Sequence, residues 1–329
     1  MMLKESRIFV AGHRGLAGSA LVRALAASGY ANIITRSHAE LDLTDQAAVR
    51  AFFQAGRPGH VFLAAAKVGG ILANSTHPAQ FIRDNLAIQT NVIHEAWAAG
   101  VDRLLFLGSS CIYPRLCPQP MREEHLLTGP LEPTNRAYAV AKIAGIEMCA
   151  SYNRQYGARF LAAMPTNLYG PGDTYDPENS HVIPAMLLKM HAAKERGESE
   201  VVLWGTGAPR REFLHADDMA EACVRLMALP EADYAAVLAT GEFPLINVGC
   251  GADLTIAELA CAVAEAVGFD GTVAFDPAHP DGTPRKRLDV SRLFALGWRP
   301  RVGLREGLAS AYGSFLASCR NESPERRKG

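Results

Sequence analysis

The sequence has no Cys-x-x-Cys pair, no long apolar run and almost no net charge, and each absence removes a class of protein. Its seven cysteines, an odd number, scatter from Cys111 to Cys319. That spacing suits neither a disulfide framework nor a structural zinc site, and no metal is expected. No stretch of about 18 apolar residues occurs, so no membrane-spanning helix is expected. The opening residues run straight into an apolar strand without the h-region of a secretory signal, which predicts a reducing, cytoplasmic location. With 33 Lys plus Arg against 34 Asp plus Glu, the formal net charge of −1 gives no field to gather nucleic acid or an anionic membrane. Anionic ligands must then be held by local cations.

What is present is a folding composition, 49% hydrophobic and 20% charged over 329 residues, which allows one large domain or two ordinary ones. Short β-branched runs alternate with longer helical ones in the first half, the pattern of βαβ units around a parallel sheet. Strands are predicted at residues 8–11, 33–35, 60–66, 103–107 and 160–164. Helices are predicted at 16–28, from a cap at Thr44 through 55, at 80–99 and at 138–156. After residue 170 turn formers dominate, then helices at 182–195, 217–228, 256–267 and 304–316 mix with short strands near Val201 and Leu245. The fold expected is α/β, a Rossmann-type doubly wound parallel sheet over 1–170. A smaller α/β lobe follows over 171–329, with some of its segments returning to the sheet. The ending Pro324-Glu325-Arg326-Arg327-Lys328-Gly329 reads as a solvated tail.

Gly12-His13-Arg14-Gly15-Leu16-Ala17-Gly18 lies directly after a strand and before a helix. The first glycine permits the tight turn, the second lets backbone approach a pyrophosphate, and the third lets helix pack on strand. At the end of the second strand, where an acid would hold a ribose 2′-hydroxyl, stand Arg36, Ser37 and His38, and Arg14 sits inside the turn. Cations there favour a 2′-phosphate and hence NADP. Asp42 is placed either to touch the adenine edge or to cap a helix near Thr44.

Tyr138 and Lys142 lie four apart on one helical face. An ammonium beside a phenol stabilises phenolate, which makes Tyr a usable acid for a ketone receiving a hydride. Gly108-Ser109-Ser110-Cys111 leaves the C-terminal end of a predicted strand, where ligands bind in open α/β sheets. A Ser109 hydroxyl there can bond the same carbonyl oxygen. Together these elements, with Asn167-Leu168-Tyr169-Gly170-Pro171, resemble the extended, sugar-nucleotide short-chain dehydrogenase/reductases along nearly the whole length.

Residues beside the triad choose among that superfamily's reactions. Its dehydratases carry Asp-Glu just after the strand, where this chain has Ser110-Cys111, so dehydration is disfavoured. Cys111 is either a small hydrophobe at a strand end or, with His181, half of a pair titrating near neutrality. Such a pair suits proton removal from one face of a carbon and delivery to the other. In this combination the sequence is similar to the GDP-L-fucose synthase family. The likeness runs through Ala64-Ala65-Ala66-Lys67-Val68-Gly69-Gly70, Leu131-Glu132-Pro133-Thr134-Asn135, Asn179 to Ala185, Arg211 to His215 and Pro280 to Lys286.

The resemblance implies NADPH-dependent 3,5-epimerisation and 4-reduction of GDP-4-keto-6-deoxy-D-mannose to GDP-L-fucose. It assigns Ser109, Tyr138 and Lys142 to reduction, Cys111 as epimerisation base and His181 as acid. Around NADP it places Gly12, His13, Arg14, Gly15, Leu16, Ala17, Gly18, Arg36, His38, Asp42, Leu43, Leu107, Gly108, Ser109, Ser110, Lys142, Pro165, Thr166, Asn167, Leu168 and His181. Against the GDP-sugar it places Lys189, Trp204, Arg211 and Asp281; an Arg and a Lys can grip a diphosphate, and a Trp offers a flat apolar face unless it is ordinary core. His38 and Lys189 stand where better-known members carry Arg. A homodimer packed through residues 80–99 and 138–156 is also implied. Asp217-Asp218 reads as helix capping. Two other readings stay open: another sugar-nucleotide 4-epimerase or 4-ketoreductase, with Cys111 and His181 structural, and an NADP-sensing protein without turnover.

Overall fold

The computed structural model describes residues 2–176, 180–279 and 281–321. Asn179, Pro280 and the basic ending 324–329 lie outside the described residues. In the first half β1 (Ile8–Ala11), α1 (Leu16–Ala27), β2 (Ile33–Ile34), α2 (Gln46–Gly56), β3 (His60–Leu63), α3 (Ile71–Thr76), α4 (Pro78–Ala98), β4 (Arg103–Leu107), α5 (Arg136–Tyr156) and β5 (Phe160–Pro165) follow one another. The strands form one parallel sheet in the order β10-β5-β4-β3-β1-β2, with β10 (Leu245–Val248) beside β5. The expected α/β Rossmann-type sheet is present. Every residue of β1, β3, β4 and β5 is buried, because helices cover both faces and leave no polar side to the strands. Leu21 and Leu25 of α1 pack one face, and Val92 and Ile93 of α4 pack the other.

The chain runs outward from β1 to β2, then crosses back to β3 on the other side of β1. That reversal opens a crevice at the carboxyl ends of β1 and β3, where ligands sit in such sheets.

The remaining elements are β6 (Asn167–Tyr169), α6 (Val182–Arg196), β7 (Glu200–Trp204), β8 (Arg210–Arg211), β9 (Phe213–His215), α7 (Ala216–Ala228), α8 (Glu231–Leu238), β11 (Leu254–Thr255), α9 (Ile256–Val267), β12 (Thr272–Asp276), β13 (Arg285–Lys286), α10 (Ser291–Ala295) and α11 (Leu304–Asn321). They include three small sheets, β11-β8-β13, β12-β7 and β6-β9. A separate apolar core joins α6, α9 and α11 through Leu187, Met190, Leu259, Val263 and Leu308. Buried polar side chains tie the segments together. Asn247 accepts from the Tyr113 hydroxyl at 2.6 Å and donates to the carbonyls of Met121 and Asp289. The fully buried Glu212 accepts from the backbone N–H of Gly251 and Leu288, each at 2.7 Å. A buried acceptor left without such donors costs about 1–3 kcal/mol, so these bonds specify the arrangement as well as stabilise it.

Two caps differ from expectation. Asp45 rather than Thr44 caps α2, its carboxylate accepting from Ala47 and Ala48 N–H at 2.9 and 3.1 Å, while the Thr44 hydroxyl is spent on Asp42 at 2.7 Å. His215 rather than Asp217-Asp218 caps α7, and both acids fall inside its first turn. Asp217 pairs there with Arg23, and Asp218 accepts from Arg301 and Val302 N–H at 3.1 and 2.9 Å. Among the described residues no helix is long and apolar enough to cross a membrane.

Candidate active site

The three glycines after β1 have three different surroundings. Gly12 has φ +85°, and a Cβ on it would stand 2.7 Å from the Ala65 backbone that leaves β3. Gly18 lies where a Cβ would run into the Gly12 carbonyl. Those two are required by the fold. Gly15 is not: its φ of −80° suits any residue, and a Cβ there would meet nothing closer than the Gly12 carbonyl oxygen at 3.6 Å. The open space in front of Gly15 is at the N-terminus of α1, whose first turn holds no acid, and a pyrophosphate fits it on both steric and electrostatic grounds.

His13 and Arg14 lie in this turn, with Leu16 and Ala17 opening α1. Arg36 lies beyond β2, donating to the Thr35 carbonyl at 2.7 Å, with its guanidinium 5.7 Å from the Phe52 ring. Glu40, held by the Ser37 hydroxyl and N–H, has its carboxyl below the usual range, and Arg36 and Arg14 both contribute to that. The charges of both guanidiniums thus act on one carboxylate, as they would on a 2′-phosphate. His38 is 84% exposed and lies 3.8 Å from Asp42. Asp42 turns back on Thr44, whose N–H and hydroxyl both donate to it, and the Leu43 carbonyl is held by Asn91.

Between the ends of β4 and α5 the reactive side chains meet. Leu107 ends β4, and Gly108 has no room for a Cβ against the Met164 side chain. Ser109 caps the short turn Ser110–Ile112, its hydroxyl accepting from Cys111 N–H at 3.3 Å. The same hydroxyl favours ionisation of the neighbouring Tyr138, whose ring meets Phe81 edge-on at 6.4 Å. Burial, then the charge of Cys111, holds the Tyr138 phenol well above its ordinary value, so it is a proton donor at rest. Lys142 is buried, donates to the Leu107 carbonyl at 2.8 Å and lies 5.8 Å from the Tyr138 ring. Burial pushes its ammonium down to about 7. Half-buried Cys111 accepts from Asn135 at 3.1 Å and lies 3.9 Å from the Lys286 ammonium. Pro165 ends β5, Thr166 and Asn167 both donate to the Glu212 carbonyl, and Leu168 follows in β6.

On the far side, His181 opens α6; its side chain is exposed, and the protein packed around it lowers its imidazole. Lys189, on the same helix, donates to the Val202 carbonyl. Trp204 is not core: it is 70% exposed at the end of β7 and stacks on His279 at 4.3 Å and 17°. Asp281 grips Thr206 through N–H and hydroxyl at 2.9 and 2.6 Å. Arg211, lowered by burial, feels the charges of Asp281 and Cys111 and donates to the Arg210 carbonyl at 2.9 Å.

Residues 8–239 match the model of the NAD dependent epimerase/dehydratase family. The chain is 52% identical to the GDP-L-fucose synthase of Escherichia coli over 99% of its own length and 100% of that protein, and 55% identical to GDP-L-fucose synthase 1 of Arabidopsis thaliana over 97% and 95%. The chain belongs to the GDP-L-fucose synthase family. Among solved structures it is similar to MlghC, the GDP-mannoheptose C4 reductase of Campylobacter jejuni with NADP bound, at 37% identity and TM-score 0.85 over 96% of this chain and 100% of that one. A GDP-L-fucose synthetase of Naegleria fowleri, 24% identical at TM-score 0.86 over 98% and 97%, shares the fold.

For this family member, the resemblance read from Ser109, Cys111, Tyr138, Lys142 and His181 holds at the level of the whole chain. Two neighbours of Cys111 escaped sequence reading. Asn135 and Lys286 both fall in motifs matching the family, but nothing in their spacing shows that each reaches the sulfur.

Proposed function

We propose that this protein reduces and epimerises GDP-4-keto-6-deoxy-D-mannose to GDP-L-fucose. NADP(H), when bound, supplies the hydride that reduces C4. Gly12 to Gly18 cradle its pyrophosphate, and Arg14 and Arg36 hold its 2′-phosphate. Residues 171–329 mainly form the lobe that grips the GDP-sugar through Lys189, Trp204, Arg211 and Asp281.

The observation that carries this reading is the junction of Ser109, Cys111 and Tyr138 at the end of β4. The C4 ketone acidifies the hydrogens on C3 and C5. Cys111 takes each in turn, and His181 returns a proton to the opposite face. An imidazole lowered by its partly desolvated surroundings is a scarce but strong acid when protonated, which suits that delivery. Ser109 and Tyr138 hold the C4 oxygen, and Tyr138 gives it a proton as reduction occurs, while the Lys142 cation stabilises the phenolate left behind. The protein works in the cytoplasm as a homodimer packed through α4 and α5. The exposed Tyr156, stacked on Trp97 at 4.2 Å, supplies an aromatic face for that contact.

The deciding experiment is turnover of GDP-4-keto-6-deoxy-D-mannose with NADPH in deuterated water. Deuterium at both C3 and C5 of GDP-fucose is expected; reduction with no label at either carbon would sink the epimerase reading and leave a plain ketoreductase.

A further inference from the structure

The sulfur of Cys111 is held by two donors arriving from different parts of the chain. Asn135 Nδ2, in the turn Pro133–Asn135 ahead of α5, lies 3.1 Å from it, and Lys286 Nζ, on β13, lies 3.9 Å from it. An amide nitrogen and an ammonium can only donate, so the sulfur accepts twice. A thiol is a weak acceptor, whereas a thiolate is a strong one. We propose that Lys286 is a positioning residue whose ammonium, with the Asn135 amide, fixes the direction of the Cys111 sulfur toward the substrate carbon and stands beside the negative charge that the sulfur carries when it acts as base. This rests on the reading of Cys111 as the epimerisation base.

The backbone fixes where Lys286 can reach. β13 runs parallel to β8 with Lys286 opposite Arg211, and the Lys286 carbonyl accepts from Glu212 N–H at 3.2 Å. Two residues on, Leu288 N–H donates to the buried Glu212 carboxylate at 2.7 Å. The small β11-β8-β13 sheet therefore delivers a cation to a sulfur that leaves the main sheet, 175 residues away in sequence. Among the described residues, Lys286 on β13 reaches that sulfur, and Arg211 on β8 and the Tyr138 phenol on α5 interact with its charge. Both cations favour negative sulfur. The phenol is neutral, and a negative sulfur beside it opposes its ionisation, so the same charge that takes a proton from carbon keeps one on Tyr138 for the C4 oxygen.

In the step served, the thiolate takes the proton of C3 or C5. The C–H electron pair becomes a C=C bond, and the C4 carbonyl becomes an enolate oxygen. Protonation of the opposite face by the His181 imidazolium restores the ketone. The thiol then releases its proton to water and the imidazole takes one up, which resets both groups without any oxidant or reductant.

The test follows alkylation of Cys111 in the full chain by iodoacetamide, read on its peptide by mass spectrometry from about pH 5 to 9, since the thiolate is the nucleophile. Deuterium wash-in at C3 and C5 of GDP-4-keto-6-deoxy-D-mannose is measured alongside. Lys286→Met is expected to slow alkylation at neutral pH about tenfold and to slow wash-in by a similar factor. NADPH affinity should stay unchanged. Lys286→Arg should recover most of both rates, and Lys286→Gln, a donor without charge, should not. A Lys286→Met alkylation profile matching that of the unsubstituted protein overturns the proposal. Should Lys286→Met lose NADPH binding, the Arg and Gln variants decide, and equal alkylation in those two overturns it as well. Full wash-in by Cys111→Ser would instead defeat the reading of Cys111 as base, while the alkylation arm still decides the Lys286 contact.

Discussion

The ammonium of Lys142 donates to the carbonyl oxygen of Leu107 at 2.8 Å, at the end of the strand that delivers Ser109. Burial pushes this amine down to about 7, so it loses its proton far below the ordinary lysine range. Only the cation favours phenolate on Tyr138, and the cationic fraction shrinks as pH rises through 7. The profile of kcat/KM for ketone reduction, which reports the free enzyme, is therefore expected to fall above about pH 7. Lys142→Arg, permanently charged, should lower the rate but remove that limb. A limb that stays in place in the arginine variant assigns it to another group.

Gly15 and Gly18 separate binding from folding. A Cβ at 18 strikes the Gly12 carbonyl, whereas one at 15 meets open space. Gly18→Ala should destabilise the protein by about 1–3 kcal/mol through overpacking. Gly15→Ala should leave the urea midpoint within experimental error and raise the NADPH Kd at least tenfold, through collision with the pyrophosphate. Equal loss of stability in both variants would show that Gly15 also serves the fold.

The charges of Arg36 and Arg14 both help to lower the Glu40 carboxyl. Removing the guanidinium by Arg36→Ala should raise KM for NADPH by about ten- to a hundredfold, as one charge-assisted contact is worth about 1.5–3 kcal/mol. KM for NADH should change little. Equal effects on both cofactors would place the 2′-phosphate elsewhere.

The two halves of the chemistry should separate by residue. Tyr138→Phe keeps the thiol and loses the proton for C4, so deuterium wash-in should persist while product formation falls by at least a hundredfold, within the range of general acid contributions. Cys111→Ser should lose wash-in first. Loss of wash-in in Tyr138→Phe would mean that the phenol also steadies the enolate.

The sheet, its helices and the glycine turn were legible because they rest on local signals: apolar runs for β1, β3, β4 and β5, and glycines at fixed offsets for the turn. Capping was less legible, since Thr44, Asp45 and Asp42 compete within four residues and the winner depends on which hydroxyl is already engaged. The environment of Cys111 was not legible at all. Asn135 and Lys286 reach it from 24 and 175 residues away, and no periodicity in sequence carries a contact between a main-sheet strand exit and a two-residue strand such as β13. Trp204 gave no sign of its exposure, because an aromatic residue in a short strand is as readily core as surface.

Asp173, in the loop between β6 and α6, gives a prediction about stability rather than turnover. One carboxyl oxygen accepts from Thr174 N–H at 2.8 Å; the other is buried and has no hydrogen-bond partner among the described residues. Burial raises this acid from 3.8 to about 6. The folded protein then holds a proton that the unfolded chain has released between these two values, so stability from this group falls as pH rises through that window. Near neutrality the carboxylate is buried, charged and only half bonded. Asp173→Asn removes the charge and keeps an acceptor for Thr174. The variant should therefore gain on the unsubstituted protein between about pH 4 and 7, with the difference in unfolding free energy growing by at most about 3 kcal/mol, at about 1.4 kcal/mol per unit. Urea unfolding across that range measures it, and a difference that stays flat with pH would mean that the Asp173 carboxylate finds a partner in the folded protein.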